Sequence, residues 1–134
     1  MTFSVKTVLL VESDILVRAP LAKYLRECGY RFLEARSTIE VEAHLSHPDR
    51  AIHLVLADVN AVDEGGFVFA ARVRREHPGV SVILGGTPDK TVEKAADLCD
   101  EGPPISKPYD HQIVLERIRR MIAARDRYEG TPNA

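Results

Sequence analysis

Short apolar runs that alternate with segments of helical spacing constrain this chain most. VKTVLLV (residues 5–11) is brief and rich in valine and leucine, as expected of a strand covered on both faces. From Ile15 to Cys28 the spacing changes: Val17, Leu21, Leu25 and Cys28 recur at three- and four-residue intervals, which predicts a helix ending before Gly29 and bent at Pro20. The same alternation continues to the end of the chain. Strands are expected over Tyr30 to Glu34, IHLVLA up to Asp58, SVIL (Ser81 to Leu84) and PPIS. Helices are expected from STIE, with capping-box spacing, to about His44, and from Phe67 through Arg74 to the stop at HPG. Two more are expected: one after GGT, where Thr87 and Pro88 suit the first turn and Val92, Ala95, Ala96 and Cys99 form a small-residue face, and one capped by Asp110 with Val114, Leu115, Ile118 and Ile122 inward. Five strands alternating with five helices imply an α/β fold with a parallel sheet covered on both sides.

At 134 residues the simplest organisation is one domain over 1–124 with a short, frayed tail over 125–134. A formal net charge of -2 points to neither nucleic acid nor membrane, and no apolar stretch reaches the roughly 18 residues of a membrane span. Cys28 and Cys99 stand apart without a CxxC partner and suit small buried thiols in a reducing compartment, so a cytoplasmic location is expected. The five histidines form no ligand set with zinc spacing. Arg117, Arg119, Arg120, Arg125 and Arg127 are interleaved with acids and suit a solvated face or a partner surface.

In sheets of this kind ligands bind beyond the carboxyl ends of the strands. The residues just past those ends are Glu12 to Asp14, Asp58 to Asn60, Gly85 to Thr87, and Lys107. Acids, small residues and one lysine on a common edge suit a hard divalent cation together with a phosphoryl group, since both need charge-matched oxygen and ammonium partners.

VLLVESD at the first strand, LVLADVN at the third, Gly66 eight positions after Asp58 and ISKPY after the fifth occur in an order that resembles the CheY-like receiver domains of bacterial two-component response regulators. The resemblance spans about residues 5 to 124. Around LRECGYRFLEA and KPYD it is similar to stand-alone receivers of alphaproteobacteria. It implies a doubly wound, flavodoxin-like sheet of order 2-1-3-4-5 with five helices, and a signalling protein that assists only its own phosphotransfer and dephosphorylation.

By the same resemblance Asp58 is the phosphoacceptor, and Lys107 contacts the phosphoryl group. Mg²⁺ is held by Glu12, Asp58 and the backbone carbonyl of Asn60, with Ser13 or Asp14 able to join through water; the peptide before Pro108 is cis. The implied partners are a sensor histidine kinase or phosphotransfer protein and a downstream protein target, without nucleic acid or membrane. A homodimer through the last helices and strand is compatible with it. With about ten residues after the final helix, output is expected to pass through another protein.

Four positions depart from the family pattern. Ser13 stands where a second acid is usual, and Asp14 either compensates or caps the first helix. Gly86 stands where a phosphate-binding Ser or Thr is usual, and Thr87 either substitutes for that hydroxyl or, as we prefer, caps the next helix. Pro104 replaces a switching aromatic, and Val62 replaces a proline. These changes support slow phosphorylation with a non-standard readout. They also keep open a pseudo-receiver that binds proteins regardless of phosphate.

A flavodoxin-like cofactor binder has a comparable strand pattern, but the acidic ESDILVR loop would repel a flavin phosphate, and GGTPDKT lacks the GK[ST] ending of a phosphate loop.

Overall fold

A computed structural model of the chain describes residues 5–86 and 104–129. Its five strands are β1 (Thr7–Val11), β2 (Arg31–Ala35), β3 (Leu54–Asp58), β4 (Ser81–Gly86) and β5 (Ile105–Ser106). They form one parallel sheet in the order β2-β1-β3-β4-β5, as the resemblance implied. Four helices lie within the described residues: α1 (Ile15–Glu27), α2 (Thr38–Leu45), α3 (Gly66–Glu76) and α4 (His111–Glu129). The helix expected after GGT, with its Thr87 cap and Cys99, falls outside them.

Every residue of β1 and β3 is buried, because side chains of alternating parity enter two separate cores. Leu9, Val11, Val55, Ala57, Val82 and Leu84 face α2 and α3, meeting Val41, Phe69, Ala70 and Val73. Val8, Leu10, Leu54, Leu56 and Ile83 face α1 and α4, meeting Leu21, Ala22, Leu25, Val114, Leu115, Ile118 and Ile122. The inward face expected for the last helix is therefore found, and Asp110 Oδ1 accepts from Gln112 N at 2.9 Å and Ile113 N at 3.2 Å, as a cap should.

Several local expectations are corrected. Ser37 makes no side-chain cap bond; Glu40 reaches past it to accept from Arg36 N at 2.6 Å and Arg36 Nε at 3.1 Å, so the capping-box spacing is present without the box. Cys28 is half-buried at the helix C-cap rather than fully enclosed. The helix expected from Phe67 is found as α3, whose Phe69 fills the core while Phe67 remains 41% exposed.

The last helix runs past Arg125 to Glu129. Arg125 Nη1 donates to the carbonyls of His53, at 2.6 Å, and Gly79, while Asp126 pairs with Lys6 at 3.0 Å. These contacts anchor the helix end to the segments that enter β1, β3 and β4. Arg125 is thereby withdrawn from the solvated basic face on which the sequence had placed it.

Gly66 opens α3 against the sheet. A β-carbon there would stand 2.6 Å from Val59 Cγ1 and 3.3 Å from Leu84 Cδ1, so the close approach of helix and strand requires a glycine. Gly66→Ala is expected to lower stability by about 2 kcal/mol through overpacking, outweighing the better helix propensity of alanine. Urea unfolding checks this: an unchanged or raised midpoint would show that Val59 yields freely.

Candidate functional site

The carboxyl ends of β1, β3, β4 and β5 meet at one edge, tied by backbone hydrogen bonds from Val59 N to Gly85 O (2.8 Å) and from Lys107 N to Gly86 O (3.0 Å). Glu12, directly after β1, is 1% exposed, and Asp58, the last residue of β3, is 3% exposed. Two carboxylates at such depth need compensation, since burial strips the water that would otherwise solvate them. Lys107 supplies it: its Nζ lies 2.9 Å from Glu12 Oε2 and 3.2 Å from Asp58 Oδ2. The three residues singled out from the strand ends therefore converge, across sequence separations of 95 and 49 residues.

The other carboxylate oxygens are held by local backbone. Glu12 Oε1 accepts from Asp14 N at 3.1 Å, and Asp58 Oδ1 accepts from Asn60 N at 3.3 Å. Each loop thus bends back onto the acid that precedes it, in an Asx-type turn for Asp58. Asn60 is exposed beside Asp58, as are Ser13 and Asp14 beside Glu12. Asp14 Oδ1 accepts from Leu16 N at 2.9 Å, so Asp14 does cap α1. Gly86 is buried at the end of β4, where its carbonyl accepts from Lys107; Thr87 lies outside the described residues. Pro104 is half-buried just before β5, and the Lys107–Pro108 peptide is cis, as expected.

Burial pulls the Lys107 ammonium toward a lower pKa, but its hydrogen bonds to Glu12 and Asp58, reinforced by their charges, pull harder, so the net direction is upward. The site then carries one cation against two buried carboxylates. The charge left over, on oxygens only, fits a small hard cation such as Mg²⁺.

Two participants were not visible in the sequence pattern. Arg18, on the first turns of α1, is buried, with Nη1 donating to the Glu12 carbonyl at 2.7 Å and Nε to Glu34 at 3.1 Å; it holds the backbone that carries Glu12. Tyr109, just after the cis Lys107–Pro108 peptide, folds its ring inward, with its centroid 5.7 Å from Lys107 Nζ. Burial first, then the charges of Asp58 and Glu12, push the Tyr109 hydroxyl well above the usual tyrosine range, so it stays protonated.

One further cluster lies away from this edge. Glu42, Glu76 and His77 offer atoms within 4.8 Å of one another, but Arg72 already pairs with Glu42, Glu64 and Glu76 there.

No helix among the described residues is long and apolar enough to cross a membrane. No family model matches the chain. Among curated proteins it is similar to the transcriptional regulatory protein AruR of Pseudomonas aeruginosa, 28% identical over 123 residues, covering 88% of this chain and 50% of the relative. It is also similar to the phosphate regulon transcriptional regulatory protein PhoB of the same organism, 26% identical over 122 residues, covering 87% and 52%. The chain thus spans about half the length of the curated relatives it matches.

Among solved structures, the CheY-like response regulator receiver domain protein of Methanospirillum hungatei superposes with a TM-score of 0.78 at 21% identity, covering 93% of this chain and 99% of that one. The signal receiver domain of an HD domain-containing protein from Pseudomonas fluorescens does so at 0.79 and 24% identity, covering 91% and 98%. The chain thus has the fold of CheY-like receiver domains, and in sequence it is similar to response regulators.

Proposed function

We propose that the chain is a response regulator receiver that accepts a phosphoryl group on Asp58 from a histidine kinase, or from a phosphotransfer protein, and passes the signal on through protein contacts in the cytoplasm. The observation that carries this reading is the pair of buried carboxylates, Glu12 and Asp58, bridged by the single ammonium of Lys107 at the carboxyl edge of the sheet. A purely structural pair would be satisfied with one acid; the second leaves a charge that an incoming cation and phosphoryl group would balance.

In the proposed reaction an Asp58 carboxylate oxygen attacks the phosphorus of a phosphohistidine. The new bond is O–P; the P–N bond breaks, its electron pair stays on the imidazole nitrogen, and that nitrogen takes up a proton. Lys107 is close enough to Asp58 to follow the charge from the carboxylate onto the phosphoryl oxygens. Glu12, Asp58 and the Asn60 carbonyl would hold Mg²⁺, which when bound supplies positive charge and orients the phosphodonor. Arg18 keeps Glu12 in place through its carbonyl.

Incubation of the protein with acetyl phosphate and Mg²⁺, followed by intact mass, tests the reading. A gain of one phosphoryl group that requires Mg²⁺ is expected, and an unchanged mass would sink it.

A second reading, a pseudo-receiver that binds its partner irrespective of phosphate, is favoured by two positions. Gly86 has no hydroxyl to draw toward a phosphoryl group, and Pro104 has no aromatic side chain to rotate. Equal partner affinity with and without phosphodonor would favour this second reading.

A further inference from the structure

Gly85 and Tyr109 form a matched pair beside Asp58. The Tyr109 ring carbons Cε1 and Cζ would stand 2.8 Å from a β-carbon on Gly85, and its hydroxyl would be nearer still, so the tip of the ring fills the volume that a side chain at 85 would need. Gly85 is the register partner of Asp58 on the adjacent parallel strand. Register partners project from the same face. Two residues earlier on each strand, Ile83 and Leu56 share one core, and Tyr109 packs against that core. The hydroxyl therefore lies on the side of the sheet from which Asp58 projects.

Distance is also compatible. Neighbouring strands are about 4.8 Å apart, so the hydroxyl stands within about 8 Å of the Asp58 β-carbon. A carboxylate, phosphorus and phosphoryl oxygen extend about 5 Å from that carbon, and a hydrogen bond adds about 2.8 Å.

The hydroxyl itself is buried and has no hydrogen-bond partner among the described residues. A buried donor of this kind is uncommon in folded proteins and points to a role or to a ligand. The surroundings are consistent with a donor in waiting: burial first, then the charges of Asp58 and Glu12, hold its proton in place, while Lys107 Nζ faces the ring.

We propose that the Tyr109 hydroxyl donates a hydrogen bond to the group carried on Asp58, supplying the hydroxyl that Gly86 lacks, and that Gly85 is a glycine to admit it. This rests on the phosphoryl reading of Asp58 given above.

The test uses beryllofluoride, a tetrahedral mimic of the phosphoryl group, with Mg²⁺. Wild type is expected to bind it, and Tyr109→Phe to bind about tenfold more weakly, the worth of one hydrogen bond to a charged acceptor such as its fluorines. Because the ring is kept and a buried unpartnered hydroxyl is removed, the thermal midpoint of Tyr109→Phe should be unchanged or raised; a merely structural tyrosine would leave beryllofluoride affinity untouched. Equal affinities in the two proteins overturn this proposal while leaving the phosphoryl reading intact. Failure of wild type to bind beryllofluoride and to gain phosphoryl mass overturns both.

Discussion

Lys107→Met will lower the unfolding free energy by about 3 kcal/mol at neutral pH, because it leaves two buried carboxylates facing each other without a cation. Glu12 and Asp58 are almost fully enclosed and both place an oxygen within 3.2 Å of the Lys107 Nζ. The methionine fills a similar volume, so the loss comes from charge rather than from a cavity.

Two further results follow from the same arrangement. Excess Mg²⁺ will restore part of the lost stability in Lys107→Met, since it can replace the missing positive charge among the same oxygens. The wild type will also lose stability at alkaline pH. The folded state holds the Lys107 proton more tightly than the unfolded chain, so that contribution is complete below the ordinary lysine range and is lost as pH rises through the raised folded value. Lys107→Met will lack this alkaline component. Urea midpoints for both proteins, across pH and with and without Mg²⁺, measure all three effects. A variant as stable as wild type would mean that the two acids are not charged together in the folded state.

Asp58→Asn will abolish the mass gain from acetyl phosphate while making the free protein more stable, by about 1 kcal/mol. The two effects have one cause. The amide is nearly isosteric and keeps an oxygen for Lys107, but it offers no nucleophilic carboxylate and removes one of two like charges that share a single ammonium. Intact mass and urea unfolding read the two halves independently. A phosphoryl group still found on Asp58→Asn would locate the acceptor elsewhere, and a destabilised variant would mean that Asp58 is fully compensated before any ligand arrives.

Much of the architecture was legible locally. The valine- and leucine-rich runs before Glu12 and Asp58 could be read as doubly covered strands because a short, unbroken apolar run is visible in the run itself. Asp58 and Lys107 could be found because they terminate or follow such runs, and the inward residues of α4 because a helical period repeats them. Ser37 and Glu40 show the limit even of local reading: the spacing was right, but the Glu40 carboxylate found the guanidinium of Arg36.

What escaped was of another kind. An arginine on a helix, such as Arg18 or Arg125, reads as solvated until the structure shows a carbonyl within reach of its guanidinium. Likewise Gly85 and Tyr109, 24 residues apart in sequence, have no mutual signal; nothing in either stretch links them until the ring is found in the space the glycine leaves.

The sequence by itself therefore determined the order of strands and helices and the acids and lysine at the strand ends, because hydrophobic period and strand termination are properties of contiguous residues. Only the tertiary structure decided that one ammonium serves two buried carboxylates and that a tyrosine hydroxyl waits beside them without a partner among the described residues. Burial and charge compensation depend on distances across the sheet edge, and no contiguous stretch of the chain encodes those distances.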